Sequence, residues 1–147
     1  MKEITKVVVD AMGGDNAPHE IIKGAVEAVG KSDAIHVILV GKEDVINQEL
    51  SGYTYNKEQI SVVHTSEVIE TAEPPVMAIR RKKDSSIVVG LKMVKDKEAD
   101  AFVSAGSSGA VLAGGQLLVG RIKGVERPPL APLIPTEKGF SILIDCG

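Results

Sequence analysis

The sequence predicts an α/β protein: a mostly parallel sheet with helices on both faces, three layers in all, and an antiparallel hairpin near the C-terminal end. Three observations carry that expectation. Short apolar or β-branched runs alternate with amphipathic helical segments in the order β-α-β-α-β, the pattern of an open parallel sheet. The run 35–40 (IHVILV) is almost continuously apolar, as a strand covered on both faces requires. Glycines punctuate the strand-to-helix joints, Gly13-Gly14 after the first run and Gly106 and Gly109 after a later one, where the chain must turn tightly.

Taken in order, residues 4–9 form a β-branched strand that ends at Asp10, and the loop 11–18 follows at once. Pro18 suits a first helical turn, with Asp15 or Asn16 as cap. Ile21, Ile22, Ala25, Val26 and Val29 then share one apolar face, and Gly30 is expected to end the helix. After the strand 35–40, Gly41 leads into a short helix at 43–50, and a polar stretch at 51–59 precedes a strand at 60–64. Pro74-Pro75 sets up a helix containing residues 76–83. Ser85 or Ser86 can cap the next helix, where Ile87, Leu91 and Val94 recur on one face. A strand at 101–104 enters the loop Ala105-Gly106-Ser107-Ser108-Gly109, and an Ala-, Leu- and Val-rich helix runs on through Val119, capped by Ser107 or Ser108. Pro128, Pro129, Pro132 and Pro135 forbid helix beyond that, so a connection leads into an edge strand. Glu137-Lys138-Gly139 turns it back into a strand at 140–145. That last run reads as buried and meets Gly147 as if opening another strand-loop-helix unit. The expectation is therefore one α/β domain over 1–147, the N-terminal portion of a longer chain.

Composition narrows the function. With 147 residues, 44% of them apolar, the chain can bury one core, and fifteen glycines with only 3% aromatics suit tight α/β joints better than a β-sandwich. A net charge of −3 and a pI of about 5.6 argue against nucleic acid as a partner. The stretch after Met1 has no apolar signal segment, and no apolar run approaches the ~18 residues of a membrane span, so a cytoplasmic protein is expected. The lone Cys146 gives neither a disulfide framework nor a cysteine zinc site. A covalent acyl-enzyme nucleophile is the alternative at Cys146, but without an evident partner base it reads as a packing residue. His19, His36 and His64 lack metal-ligand spacing and read as structural or surface residues.

Put in order, the pieces carry a resemblance. The segment 9–18 (VDAMGGDNAP), then Ala78-Ile79-Arg80 with Lys83-Asp84-Ser85-Ser86, then 99–106 (ADAFVSAG) with Gly109-Ala110, then Arg127-Pro128 and Asp145, resembles the phosphate acyltransferase (PlsX) family of bacterial phospholipid synthesis across the whole chain. The resemblance implies transfer of a fatty acyl group from acyl carrier protein to inorganic phosphate, giving acyl phosphate for glycerol-3-phosphate acylation. It also implies an isocitrate/isopropylmalate dehydrogenase-like fold, a homodimer, peripheral membrane contact as an option, and a chain roughly twice this long. Where the family usually has Asn-Thr, this chain has Ser107-Ser108, which loses an amide but keeps a hydroxyl at Ser108.

The residues allow that chemistry. Phosphate attacking a thioester needs no protein nucleophile; it needs two anions, phosphate and the developing oxyanion, held by dipoles and cations. Helix starts near Gly13, Gly14 and Asn16 and near Gly106, Ser107 and Gly109 can supply dipoles. Arg80 and Arg127 suit bidentate phosphate contact better than Lys83 does. Arg80, Ser104, Ser108 and Asp145 are the candidate catalytic groups. Gly13, Gly14, Asn16, Lys83, Gly106, Ser107, Gly109 and Arg127 are the candidate phosphate and substrate contacts. No metal site and no cofactor are expected. The cationic run from Arg80 to Lys83 can equally be a solvated helix face or a docking patch for the acidic carrier protein. Asp10 and Asp15 would repel phosphate and read as loop organisers, with a magnesium or general-base role as the alternative for Asp15. Gly13-Gly14 is not the spaced glycine fingerprint of a dinucleotide site. Two rivals stand beside the family reading: a short-chain phosphate acetyl- or butyryltransferase using coenzyme A, and a non-catalytic module that docks acyl carrier protein.

Overall fold

The strand Thr5–Asp10 (β1) is followed by the helix His19–Lys31 (α1), the strand Ile35–Gly41 (β2), the helix Glu43–Leu50 (α2) and the strand Ile60–His64 (β3). The helices Pro75–Arg81 (α3) and Ser86–Lys95 (α4) come next, then the strand Ala101–Val103 (β4) and the helix Ser108–Gly114 (α5), which runs on as a π-helical turn, Gly115–Val119. The strands Leu133–Thr136 (β5) and Gly139–Ile142 (β6) close the order. This computed structural model describes residues 4–144, so Asp145 and Cys146 lie outside the described residues.

The first four strands form one parallel sheet in the order β3-β2-β1-β4, with Val7 opposite Val37, Leu39 opposite Val62 and Val8 opposite Phe102. Alternation along the strands sorts the core into two layers, because successive side chains leave a sheet on opposite faces. Val37 and Leu39 join Ile22, Ala25 and Val29 of α1 and Ile46 and Leu50 of α2 on one face. Val8, Ile38 and Val40 meet Val89, Met93 and Val94 of α4 on the other. A third cluster, Ile69, Ala78, Ile79, Ile87, Leu91 and Ala110, locks α3, α4 and α5 together. The three-layer α/β/α arrangement follows directly, and Leu39, fully buried, contributes on the order of 2 kcal/mol from apolar burial alone.

Local chemistry explains most boundaries. Ser85 caps α4 by accepting from the Val88 amide, and Ser107 caps α5 by accepting from the Ala110 amide. At α1 the expected cap is absent: neither Asp15 nor Asn16 offers a side-chain bond to the helix start. A backbone turn does that work, the Ala17 amide donating to the Gly14 carbonyl and the Glu20 amide to the Asn16 carbonyl. Gly30 lies within α1, which ends at Lys31, and Lys82 and Lys83 fall beyond the end of α3. The hairpin forms with Glu137-Lys138 at its turn, yet every residue of β5 and β6 is exposed. The run 140–144 is thus not a buried strand among the described residues: it pairs with β5, apart from the parallel sheet.

Candidate active site

The connection from β1 goes to β2 on one side, while β4 lies on β1's other side. The carboxyl ends of β1 and β4 therefore flank the point where the chain reverses direction across the sheet, the crevice where open α/β sheets bind ligands. Both glycine loops leave from these ends and meet. A Cβ on Gly13 would lie 3.0 Å from the Gly106 Cα, and one on Gly106 would lie 3.1 Å from the Gly13 Cα. Gly14 has φ +114°, open to glycine and strained for other residues, and approaches Ala105. Only glycine lets the two backbones pass this closely.

Beneath the contact sits Asp10, the last residue of β1, 1% exposed. Its Oδ1 accepts from the Met12 amide at 3.1 Å and its Oδ2 from the Ser104 hydroxyl at 2.8 Å. Ser104 Oγ in turn accepts from the Gly106 amide at 3.0 Å. Ser104 is thereby committed at both ends. Further along, Ser107 is buried and spent as the α5 cap, while the amides of Ser108 and Gly109 donate to no protein group among the described residues. Asn16 and Ser108 are exposed, and exposed Asp15 makes no side-chain hydrogen bond among the described residues. A cleft of about 280 Å³ opens beside Gly109, lined by Val76, Leu112, Ala113, Gln116 and Leu117. A larger apolar cleft of about 470 Å³, sharing Leu112 and Gln116, runs between α4, α5 and the segment 120–130.

The cations are arranged differently. The start of α3 touches the loop, Pro75 Cγ lying 2.9 Å from where a Gly109 Cβ would stand, while Ile79 packs at Gly114. The two helices run side by side in the same direction, which puts Arg80 roughly 8 Å further along α3 than the Pro75 contact. Arg80 and Arg127 are exposed and make no hydrogen bond or ion pair among the described residues. Lys83 turns back to the helix end, Nζ donating to the Ile79 carbonyl at 3.5 Å. Lys82 bonds Glu73 at 2.5 Å and the Val68 carbonyl at 2.6 Å, tying down the stretch before α3. Thus the glycines, Ser104 and Ser107 are brought together, and Arg80, Lys83 and Arg127 are not joined to them; Asp145 lies outside the described residues.

A second polar cluster was not visible in the sequence pattern. Asp84 accepts from the Ser66 hydroxyl at 2.6 Å and from the Ser66 amide at 2.8 Å, and its own amide donates to Glu67 Oε2 at 3.0 Å. The Ser66 hydroxyl and amide, with the charge of nearby His64, hold the Asp84 carboxyl below its ordinary range. Hydrogen bonds from Lys82 and from the Glu70 amide do the same for Glu73. His36 bridges the Glu58 carbonyl and the Ser61 hydroxyl, a structural role. No group of three or more His, Cys, Asp or Glu side chains is placed to hold a metal among the described residues, and no helix among them is long and apolar enough to cross a membrane.

Facing glycine loops at the ends of adjacent parallel strands, with unspent amides beyond them, mark the position where open three-layer α/β sheets form a ligand crevice. The chain belongs to the fatty acid synthesis protein family, whose model matches residues 5–147. It is 60% identical over 142 residues to a phosphate acyltransferase of Alkaliphilus oremlandii (strain OhILAs), covering 97% of this chain and 42% of that protein. A phosphate acyltransferase of Clostridium novyi (strain NT) is 56% identical over the same share of this chain and 43% of its own length. The chain therefore spans less than half the length of these relatives. Among solved structures, the EutD phosphotransacetylase from Staphylococcus aureus matches with a TM-score of 0.61 at 19% identity, covering 98% of this chain and 46% of that one, a likeness of fold.

Proposed function

We propose that this chain is part of an enzyme that transfers a fatty acyl group from acyl carrier protein to inorganic phosphate, forming the acyl phosphate used in phospholipid synthesis. The observation that carries the reading is the contact of Gly13 with Gly106 at the ends of β1 and β4 in a chain whose relatives are phosphate acyltransferases. A phosphate oxygen attacks the thioester carbonyl carbon, the tetrahedral oxyanion collapses, the C–S bond breaks, and the thiolate leaves to take up a proton. The protein's task is to hold two anions in line, which amide dipoles and cations accomplish without a covalent intermediate.

In this reading the amides of Ser108 and Gly109 face the anion, and Arg80 and Arg127, both exposed, supply the charge. The hairpin's exposed apolar side chains, Phe140 at 75% and Ile142 at 62%, form a face for other protein to cover, and the reading includes the homodimer that the family resemblance implies. In this reading the protein acts in the cytoplasm, with peripheral membrane association as an option. Given acyl carrier thioester and phosphate, the full-length gene product is expected to yield a product that hydroxylamine traps as a hydroxamate. A hydroxamate yield that does not depend on phosphate would overturn the proposal.

The fold shared with a phosphotransacetylase favours one second reading, a short-chain transferase using coenzyme A. Running the same assay with acetyl-coenzyme A and with long-chain acyl carrier protein separates the two. Carrier binding without turnover of either thioester would instead indicate a docking module.

A further inference from the structure

Asp10 does more than end a strand. One carboxylate, buried from solvent, links the two glycine loops: the Met12 amide donates to Oδ1, the Ser104 hydroxyl donates to Oδ2, and the Gly106 amide donates to Ser104 Oγ. No lysine, arginine or histidine forms an ion pair with Asp10 among the described residues. A buried carboxylate without a cation is costly unless hydrogen bonds compensate it, so these contacts are what hold it there. Gly13 closes over the same group, since a Cβ there would stand 2.3 Å from Asp10 Oδ2.

The direction of each bond has a consequence. A carboxylate only accepts, so it draws the single Ser104 proton towards itself. Ser104 then has no proton to give a substrate, and the Gly106 amide, donating to Ser104, is withheld from an incoming anion. The amides of Gly13 and Gly14 in one loop and of Ser108 and Gly109 in the other donate to no protein group among the described residues and are left for the anion.

We infer that Asp10 is a positioning residue of the phosphate site. It acts through Ser104, fixing the hydroxyl's direction and with it the spacing between the loops after β1 and β4. Ser104 is accordingly a brace and not a nucleophile or a donor to substrate. The inference rests on the phosphate acyl transfer proposed above and deepens it by naming what sets the geometry of the anion crevice.

The test uses the full-length gene product and compares the wild type with D10N, S104A and the double variant. Phosphate KM, thioester KM, kcat and melting temperature are measured for each. In D10N the amide oxygen keeps the Met12 bond, but the amide nitrogen donates to Ser104 Oγ, reversing that bond and freeing the hydroxyl proton. D10N and S104A are each expected to raise the phosphate KM about tenfold, the loss of one charge-assisted hydrogen bond, with thioester KM within about twofold. The double variant is expected to match the single ones, because both break one chain of contacts. Unchanged phosphate KM in a folded D10N, or losses that multiply in the double variant, would overturn the inference. Should D10N fail to fold, S104A and S104T decide. Threonine keeps the hydroxyl, so S104T is expected to retain more phosphate affinity than S104A, and equal losses in the two would count against the brace. An inactive wild type would instead sink the functional reading, which keeps the two failures distinct.

Discussion

The glycine loops and the cationic side chains occupy the same molecule on different terms. The loops after β1 and β4 are pinned by backbone: their strands pair in the sheet, Asp10 reaches Ser104 across 94 positions of sequence, and Gly13 touches Gly106. Arg80, Lys83 and Arg127 sit at helix ends and in the segment after α5, held by little beyond their own backbone. The loops are thus part of the fold as well as of the site, whereas the arginines can serve the site without supporting the fold. Substitutions should separate the two cleanly.

The largest effect is expected at Gly13. Gly13→Ala pushes a methyl group against Asp10 Oδ2 and the Gly106 backbone and should cost about 3 kcal/mol in urea unfolding, an overpacking loss. Gly24→Ala, in the middle of α1 where nothing lies within 4 Å, should instead gain roughly 0.5–1 kcal/mol. A Gly13→Ala variant as stable as the wild type would dissolve the distinction between loop and surface. Ser107→Ala removes the α5 cap and should lower stability by about 1 kcal/mol.

A pH experiment sharpens the comparison at the second polar cluster. The folded Asp84 and Glu73 carboxyls titrate below their ordinary values, so the folded state binds their protons less readily than the unfolded chain does. Their stabilisation is complete above the unfolded carboxylate range of about pH 4 and is lost as pH falls through the lowered folded values. Ser66→Ala should therefore destabilise the protein at neutral pH and lose that effect in acid. A penalty independent of pH would show that Ser66 acts by packing alone. The smallest stability effect belongs to Arg80→Ala, expected within about 0.5 kcal/mol of wild type while phosphate use weakens markedly. Equal losses in stability and phosphate use would make Arg80 a structural residue.

How much of this could be read from the chain depends on the range of the forces involved. Strand β3 and helix α2 lie where periodicity places them, and Ser85 and Ser107 cap as their positions suggest, because these features arise from a few neighbouring residues. The start of α1 was not legible: Asp15 and Asn16 have the chemistry of caps, yet the turn from Gly14 to Asn16 satisfies the helix amides with backbone carbonyls. The glycine loops were legible singly. That they serve one anion was also an expectation from the sequence; the pairing of β4 with β1 that brings Gly13 against Gly106 was not, since nothing in residues 4–10 or 101–104 states it. Lys82 reads as one more cation on a helix, and only the packed stretch before α3 reveals Glu73 and the Val68 carbonyl as its partners.

The decisive measurement is a phosphate titration of the full-length gene product labelled with ¹⁵N-glycine. Convergence of the two loops on one anion predicts that the Gly13, Gly14 and Gly109 amide signals shift together and saturate along a single curve. Shifts confined to one loop, or the two loops saturating at different phosphate concentrations, would contradict it.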